Sequence, residues 1–178
     1  MSSKREVRIG TLADWLMTMS MTEFSPVLRD GVTQEEKRQQ AIQIAQSHQD
    51  SYVSLLSELH SRELNITTEM IQMVLNNQHE YILCMWQDQT LLATAQASLM
   101  FPAMRSTVHI SNVVVKNGYR GRGYGKPLLI LLRRRARKLW EGKYGRLRFE
   151  LTSRAERGTK EFYEGLGYVG TPTIRYAR

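Results

Sequence analysis

Val113-Val114-Val115-Lys116-Asn117-Gly118-Tyr119-Arg120-Gly121-Arg122-Gly123-Tyr124-Gly125-Lys126 runs from β-branched residues through a glycine-rich turn toward Leu128-Leu129-Ile130-Leu131-Leu132. Branched side chains suit an extended strand, and the leucine run that follows suits a helix. Gly121, Gly123 and Gly125 alternate, which permits positive φ and leaves backbone N–H groups unshielded by Cβ atoms. A helix starting there points its positive dipole end and its unpaired amide donors into the same turn. Strand, bare turn and helix N-terminus together predict an anion site suited to phosphate oxygens.

Elimination narrows the phosphate ligand. A nucleotide-triphosphatase loop needs Gly where this chain has Arg120 and Ser or Thr where it has Pro127. The dinucleotide fingerprint counted from Gly121 needs a third glycine where Lys126 stands. A kinase loop needs a second strand after the glycines, whereas residues 128–132 continue as a helix. What does match is Arg-x-x-Gly-x-Gly at Arg120, Gly123 and Gly125, which resembles the acetyl-CoA loop of the GNAT superfamily of N-acetyltransferases. His109-Ile110-Ser111-Asn112 leading into Val113 is similar to that family's fourth strand.

A second signal lies downstream. Phe149-Glu150-Leu151-Thr152-Ser153 reads as a short strand and Arg154–Gly158 as a loop. Thr159-Lys160-Glu161-Phe162-Tyr163-Glu164-Gly165-Leu166-Gly167-Tyr168 then reads as a short helix, a glycine C-cap and an aromatic strand residue. That run resembles the family's Phe-Tyr motif, in which the tyrosine matching Tyr163 protonates the departing thiolate.

Composition is consistent with one globular domain over residues 1–178. Cys84 is the single cysteine, so a disulfide framework is excluded and a buried strand position is expected. Four scattered histidines without paired ligand spacing predict no metal site. No run is long and apolar enough for a membrane span, and the N-terminus lacks a signal-peptide core; a cytoplasmic protein is expected. Charge is unevenly spread: residues 1–90 carry 7 Lys+Arg against 12 Asp+Glu, and residues 91–178 carry 18 against 5. A basic C-terminal half suits a polyphosphate ligand. Arg133, Arg134, Arg137 and Lys138 share one arc of the predicted helix. Leu128, Leu129, Leu132, Ala136, Leu139 and Trp140 share the opposite, sheet-facing arc. The basic arc is either a solvated face or a nucleic-acid or acidic-partner surface.

Along the chain, residues 6–10 predict a first strand and Thr11-Leu12-Ala13-Asp14 a helix start. Ser25-Pro26 and Asp30-Gly31 mark a loop, and Thr33-Gln34-Glu35-Glu36 forms a capping box before a helical stretch reaching residue 61. Thr67-Thr68-Glu69-Met70 opens another helix, whose Met70 and Met73 are expected as core or groove filler. Strands are predicted over 81–87, 91–100 and 107–115. This order resembles the GNAT fold, an α/β arrangement of α+β type with a mixed, mostly antiparallel central sheet flanked by helices and splayed central strands. Residues 80–170 would form the acetyl-CoA core and 1–61 a divergent acceptor-side region.

The resemblance implies a mechanism. Backbone groups of Val113, Val114 and Val115 bond the pantetheine arm and polarise the thioester. Arg120, Gly121, Arg122, Gly123, Tyr124, Gly125 and Lys126 hold the phosphates. The acceptor amine attacks directly and Tyr163 protonates the thiolate. Relatives often carry acidic residues where this chain has Ser111 and Asn112, which leaves the base open among His109, Glu150, a water chain and an amine that is already neutral. In the fifth-strand loop, where relatives often have Asn, this chain has residues 153–157. Three readings follow: an acetyl-CoA-dependent transferase acting on a small-molecule or protein amine, a CoA-binding module without chemistry, and a nucleic-acid-associated protein using residues 133–138. A homodimer is left open.

Overall fold

The computed structural model describes residues 7–12, 34–101, 105–153 and 159–171, the stretch 34–45 by its backbone alone. Strands β1 (Arg8–Thr11), β2 (Glu80–Gln87), β3 (Thr90–Met100), β4 (Thr107–Val115) and β5 (Arg148–Leu151) form one sheet in chain order. Neighbours are antiparallel from β1 to β4, and β5 joins β4 in parallel. The hairpin between β2 and β3 turns at Asp88, whose φ of 51° is one that Asp tolerates. A parallel neighbour instead needs a long crossover, and helix α3 (Gly125–Tyr144) supplies it. Three other helices complete the described chain: α1 (Gln34–His60), α2 (Thr68–Asn76) and α4 (Lys160–Glu164). Thr67 caps α2 by accepting from the Met70 N–H.

Side-chain alternation divides the sheet into two faces. Leu83, Met85, Ala93, Ala95, Ala97, Leu99, Val108 and Ile110 pack with Leu128, Leu129, Leu132, Ala136 and Trp140 of α3. Ile82, Cys84, Trp86, Leu91 and Val114 face the other way, against Tyr52, Leu55 and Leu56 of α1 and Ile71 of α2. Small alanines along β3 let α3 approach closely. Each fully buried leucine contributes roughly 1.5–3 kcal/mol. The Trp140 N–H donates to the Gln78 carbonyl at 3.1 Å, fastening the far end of α3 to the start of β2.

Several expectations need correction. Leu139 is 51% exposed because the buried stripe of α3 follows i+4 steps through Leu132, Ala136 and Trp140. That row is inclined to the helix axis, so the contact rotates away from Leu139 by the last turns. Met70 and Met73 are exposed, since α2 is short and buries only Ile71. No strand forms over 168–171: Val169 projects outward at 87% exposure, and the Tyr168 N–H turns back to the Tyr163 carbonyl. Cys84 is a buried strand residue, as expected. The predicted features at Ala13-Asp14, 25–31, Thr33 and 154–158 lie outside the described residues.

Candidate functional site

β4 carries an irregularity that organises everything near it. Gln96 pairs with Ser111 and Thr94 with Val114, so two steps on β3 oppose three on β4. The extra residue is a β-bulge. Asn112 sits in it with φ 50°, a left-handed conformation that Asn tolerates better than most residues. The bulge inverts the alternation. Val108 and Ile110 face α3 before it, Val113 and Val115 face α3 after it, and Val114 turns to the side shared by His109 and Ser111.

β5 accompanies β4 only from Thr107 to Ile110, opposite Arg148 to Leu151. Among the described residues, Ser111 through Val115 therefore have no partner strand on that side, and the two central strands separate as expected of the fold. An extended ligand can pair with that open edge by backbone hydrogen bonds.

The glycine turn follows at the end of β4. Gly118, Gly121 and Gly123 take φ of 79°, 74° and 87°, conformations costly for side-chain-bearing residues. Gly125 serves another purpose: an added Cβ would lie 3.1 Å from Phe162 Cζ. That close approach docks α4 against the start of α3 and brings the two sequence motifs together. Tyr124 at the N-cap makes no side-chain capping bond, and the first turn of α3 has no acidic residue. Its first amide donors therefore lie under positive helix-end potential, a setting that favours an anion, beside Arg122 and Lys126. These features suit phosphate oxygens.

Arg120 and Arg122 make contacts within the protein. Arg120 Nε donates to the Val115 carbonyl at 3.0 Å, and its Nη2 lies 3.9 Å from Glu58 Oε2. The same Glu58 oxygen accepts from the Asn117 N–H at 2.8 Å, so α1 braces the turn. The Arg122 guanidinium lies over the Tyr119 ring at 5.2 Å. A cleft of about 530 Å³ opens between α1 and the end of β4, lined by Ser47, Asp50, Ser54, Glu58 and Lys116 among others.

Tyr163 is half-buried between Phe162 and Tyr168, edge-on to both rings at 5.1 and 6.1 Å, and packs on the α3 side with Val113, Val115 and Tyr124. His109 and Glu150, predicted separately, are register partners, with Nδ1 and Oε1 4.0 Å apart. They lie on the opposite side of the sheet from Tyr163, flanking the point where β5 ends.

The predicted basic arc of α3 is partly spent within the chain. Arg133 donates to the Leu166 carbonyl at 3.0 Å and lies over Tyr168, and Arg137 lies over Phe149 at 5.1 Å. Among the described residues, no group of three metal-ligating side chains occurs and no helix is long and apolar enough to cross a membrane.

Residues not singled out from the sequence complete the picture. Glu80, Gln96 and Ser98 lie on the His109 side: Glu80 Oε2 accepts from Gln96 Nε2 at 2.8 Å and Ser98 Oγ at 2.7 Å, and Gln96 Oε1 accepts from Asn112 Nδ2 at 2.8 Å. A glutamate heading the apolar run Ile82–Trp86, and a glutamine and serine among the β3 alanines, were the available signals.

The sequence matches the acetyltransferase (GNAT) family over residues 41–168. No curated protein sequence matches the chain. Among solved structures, an acetyltransferase from Trypanosoma brucei superposes with a TM-score of 0.63 at 18% identity, over 97% of this chain and 98% of that one. An aminoglycoside acetyltransferase from an uncultured soil metagenomic sample gives 0.64 at 10% identity, over 97% and 93%. Glucosamine-6-phosphate N-acetyltransferase from Arabidopsis thaliana gives 0.53 at 14% identity, over 97% of each. At these identities the likeness is one of fold.

Proposed function

The chain belongs to the acetyltransferase (GNAT) family, and from that premise we propose that it transfers an acetyl group from acetyl-CoA to a primary amine by direct attack. The observation that carries this reading is the continuity of three features. An uncapped helix N-terminus under positive-φ glycines follows directly on a strand with an open edge, and Phe162 docks a tyrosine-bearing helix against both.

In this reading the N–H donors of residues 122–126 hold the diphosphate, and the free edge of Val113–Val115 hydrogen-bonds the pantetheine arm. One of its N–H groups stabilises the oxyanion that develops on the thioester carbonyl. His109, held by Glu150, removes a proton from the incoming ammonium on the opposite side of the sheet. As the N–C bond forms and the C–S bond breaks, the Tyr163 hydroxyl gives its proton to the leaving sulfur. α1 supplies the acceptor side. The acceptors named for two of the superposed structures, an aminoglycoside and an amino-sugar phosphate, both present such amines.

Release of free thiol from acetyl-CoA in the presence of an amine panel tests the proposal. Tyr163→Phe is expected to lower kcat about 10²-fold, the size of a general-acid contribution, with CoA affinity changed less than about twofold. Thiol release at the wild-type rate removes Tyr163 from the mechanism. CoA binding without amine-dependent thiol release reduces the protein to a binding module.

A further inference from the structure

Strand register places Glu80, Ser98, His109 and Glu150 in one row across four strands, with Gln96 and Ser111 in the next row toward the bulge. Glu80, Gln96, Ser98, His109 and Glu150 are all half-buried on the side opposite α3. Their hydrogen bonds have a direction set by charge. An ionised carboxylate only accepts, so Glu80 obliges Gln96 to present its NH2 group. The Gln96 carbonyl then faces Asn112, which must donate its own NH2 to it. That bond uses Asn112 Nδ2 and leaves Oδ1, an acceptor, outside it, at the bulge where β4 loses its β5 partner. One charge two strands away, roughly 10 Å at the usual strand spacing, thereby fixes the polarity of a side chain at the candidate reaction point.

Glu80 has capacity beyond this task. Oε2 takes both recorded donors, and among the described residues neither a donor to Oε1 nor an Arg or Lys ion pair with Glu80 is present. Glu150 contributes a second carboxylate to the row, opposed among the described residues by His109. Carboxylates partly shielded from water favour a nearby cation and disfavour a second anion. The same division runs through the whole chain: the N-terminal half, which supplies this side through α1, α2 and β2, has an acidic excess, and the glycine loop lies in the basic half.

Resting on the transfer reading above, we propose that Glu80 is the specificity-determining residue of the acceptor side. Acting through Gln96, it presets Asn112 Oδ1 to receive an amine N–H, and its charge selects polycationic amines over amines that carry a phosphate or carboxylate.

The test uses the full chain saturated with CoA, titrated by calorimetry with spermidine and separately with glucosamine 6-phosphate, with side-chain amide resonances of Gln96 and Asn112 followed by NMR. Spermidine is expected to bind at least tenfold more tightly than the sugar phosphate. Glu80→Gln should weaken spermidine at least tenfold, leave CoA affinity within twofold, and shift the Asn112 and Gln96 amide resonances; Glu80→Asp should recover part of each loss. Gln96→Leu provides a second arm that keeps the charge but cuts the relay, and it should move the Asn112 resonance while retaining most of the preference for spermidine. The inference is overturned by wild-type spermidine affinity in Glu80→Gln, by equal binding of the two amines, or by no spermidine binding. Spermidine binding that depends on Glu80, with no thiol released when acetyl-CoA replaces CoA, would sink the transfer reading and leave this one standing. Thiol release with the sugar phosphate alone would do the reverse.

Discussion

Replacing Gly123 by alanine separates the backbone's part in the turn from any side-chain contact. Gly123 has φ +87°, and a Cβ built on it meets nothing within 4 Å. No steric clash contributes, so the whole cost is conformational, about 1–2 kcal/mol for a left-handed L-residue. For a domain of this size that corresponds to a fall in Tm of roughly 2–8 °C. Relaxing the strain rotates the peptide that joins Gly123 to Tyr124 and re-aims the amides at the start of α3. CoA affinity should therefore fall at least tenfold, about 1.4 kcal/mol. Gly142→Ala is the matched control: it lies inside α3, without positive φ and with open space around it. There alanine should add about 0.5–1 kcal/mol of stability and leave CoA binding unchanged. Thermal melts and calorimetry with CoA read both variants. A Gly123→Ala protein with lowered Tm but wild-type CoA affinity would refute the assignment of this turn to the diphosphate, and an unchanged Tm would refute the strain argument itself.

Further outcomes follow from other parts of the structure. Arg120→Ala removes the bond to the Val115 carbonyl and the contact with Glu58. Because Arg120 is more than half exposed, stability should fall by less than about 1 kcal/mol; CoA affinity, read by calorimetry, should drop several-fold as the turn loses its brace, and unchanged affinity would assign Arg120 no part in shaping it. Burial, reinforced by electrostatic interaction with Cys84 and Glu80, pushes the Tyr52 phenol well above its usual range. The folded protein then holds a proton that the unfolded chain releases near pH ~10, so stability should be independent of this group below that pH and fall as pH rises above it. Tyr52→Phe should flatten the decline in denaturant melts between pH ~9 and ~11, and an identical slope in both proteins would show that another group governs alkaline unfolding.

Much of this architecture was readable from residue order. The β2 to β4 strands, the turn at Asp88, the Thr67 cap and the strand–turn–helix around Gly123 all depend on neighbours within a few residues, through side-chain alternation, turn preference and capping. The Arg-x-x-Gly-x-Gly pattern carried the family likeness for the same reason, since its chemistry resides in one contiguous stretch. Errors arose where a residue's fate depended on distant packing. Leu139 has the right helical phase yet is exposed, because the inclination of α3 on the sheet decides which row is covered. Tyr168 lacks a strand because its N–H is already taken by Tyr163. Arg133, placed on the basic arc by helical phase, is half-buried over aromatic rings of β5 and of the segment after α4, while Arg137 stays exposed beside Phe149.

By itself, the order of residues determined the family, the glycine turn and the tyrosine-bearing helix, because glycine spacing and local periodicity act over single turns and strands. Tertiary structure alone decided that β4 inverts its faces at Asn112, that His109 meets Glu150, and that Glu80 reaches Asn112 through Gln96. A bulge is a mismatch between two strands, and a hydrogen-bond relay joins three, so neither has any signature within one segment of chain.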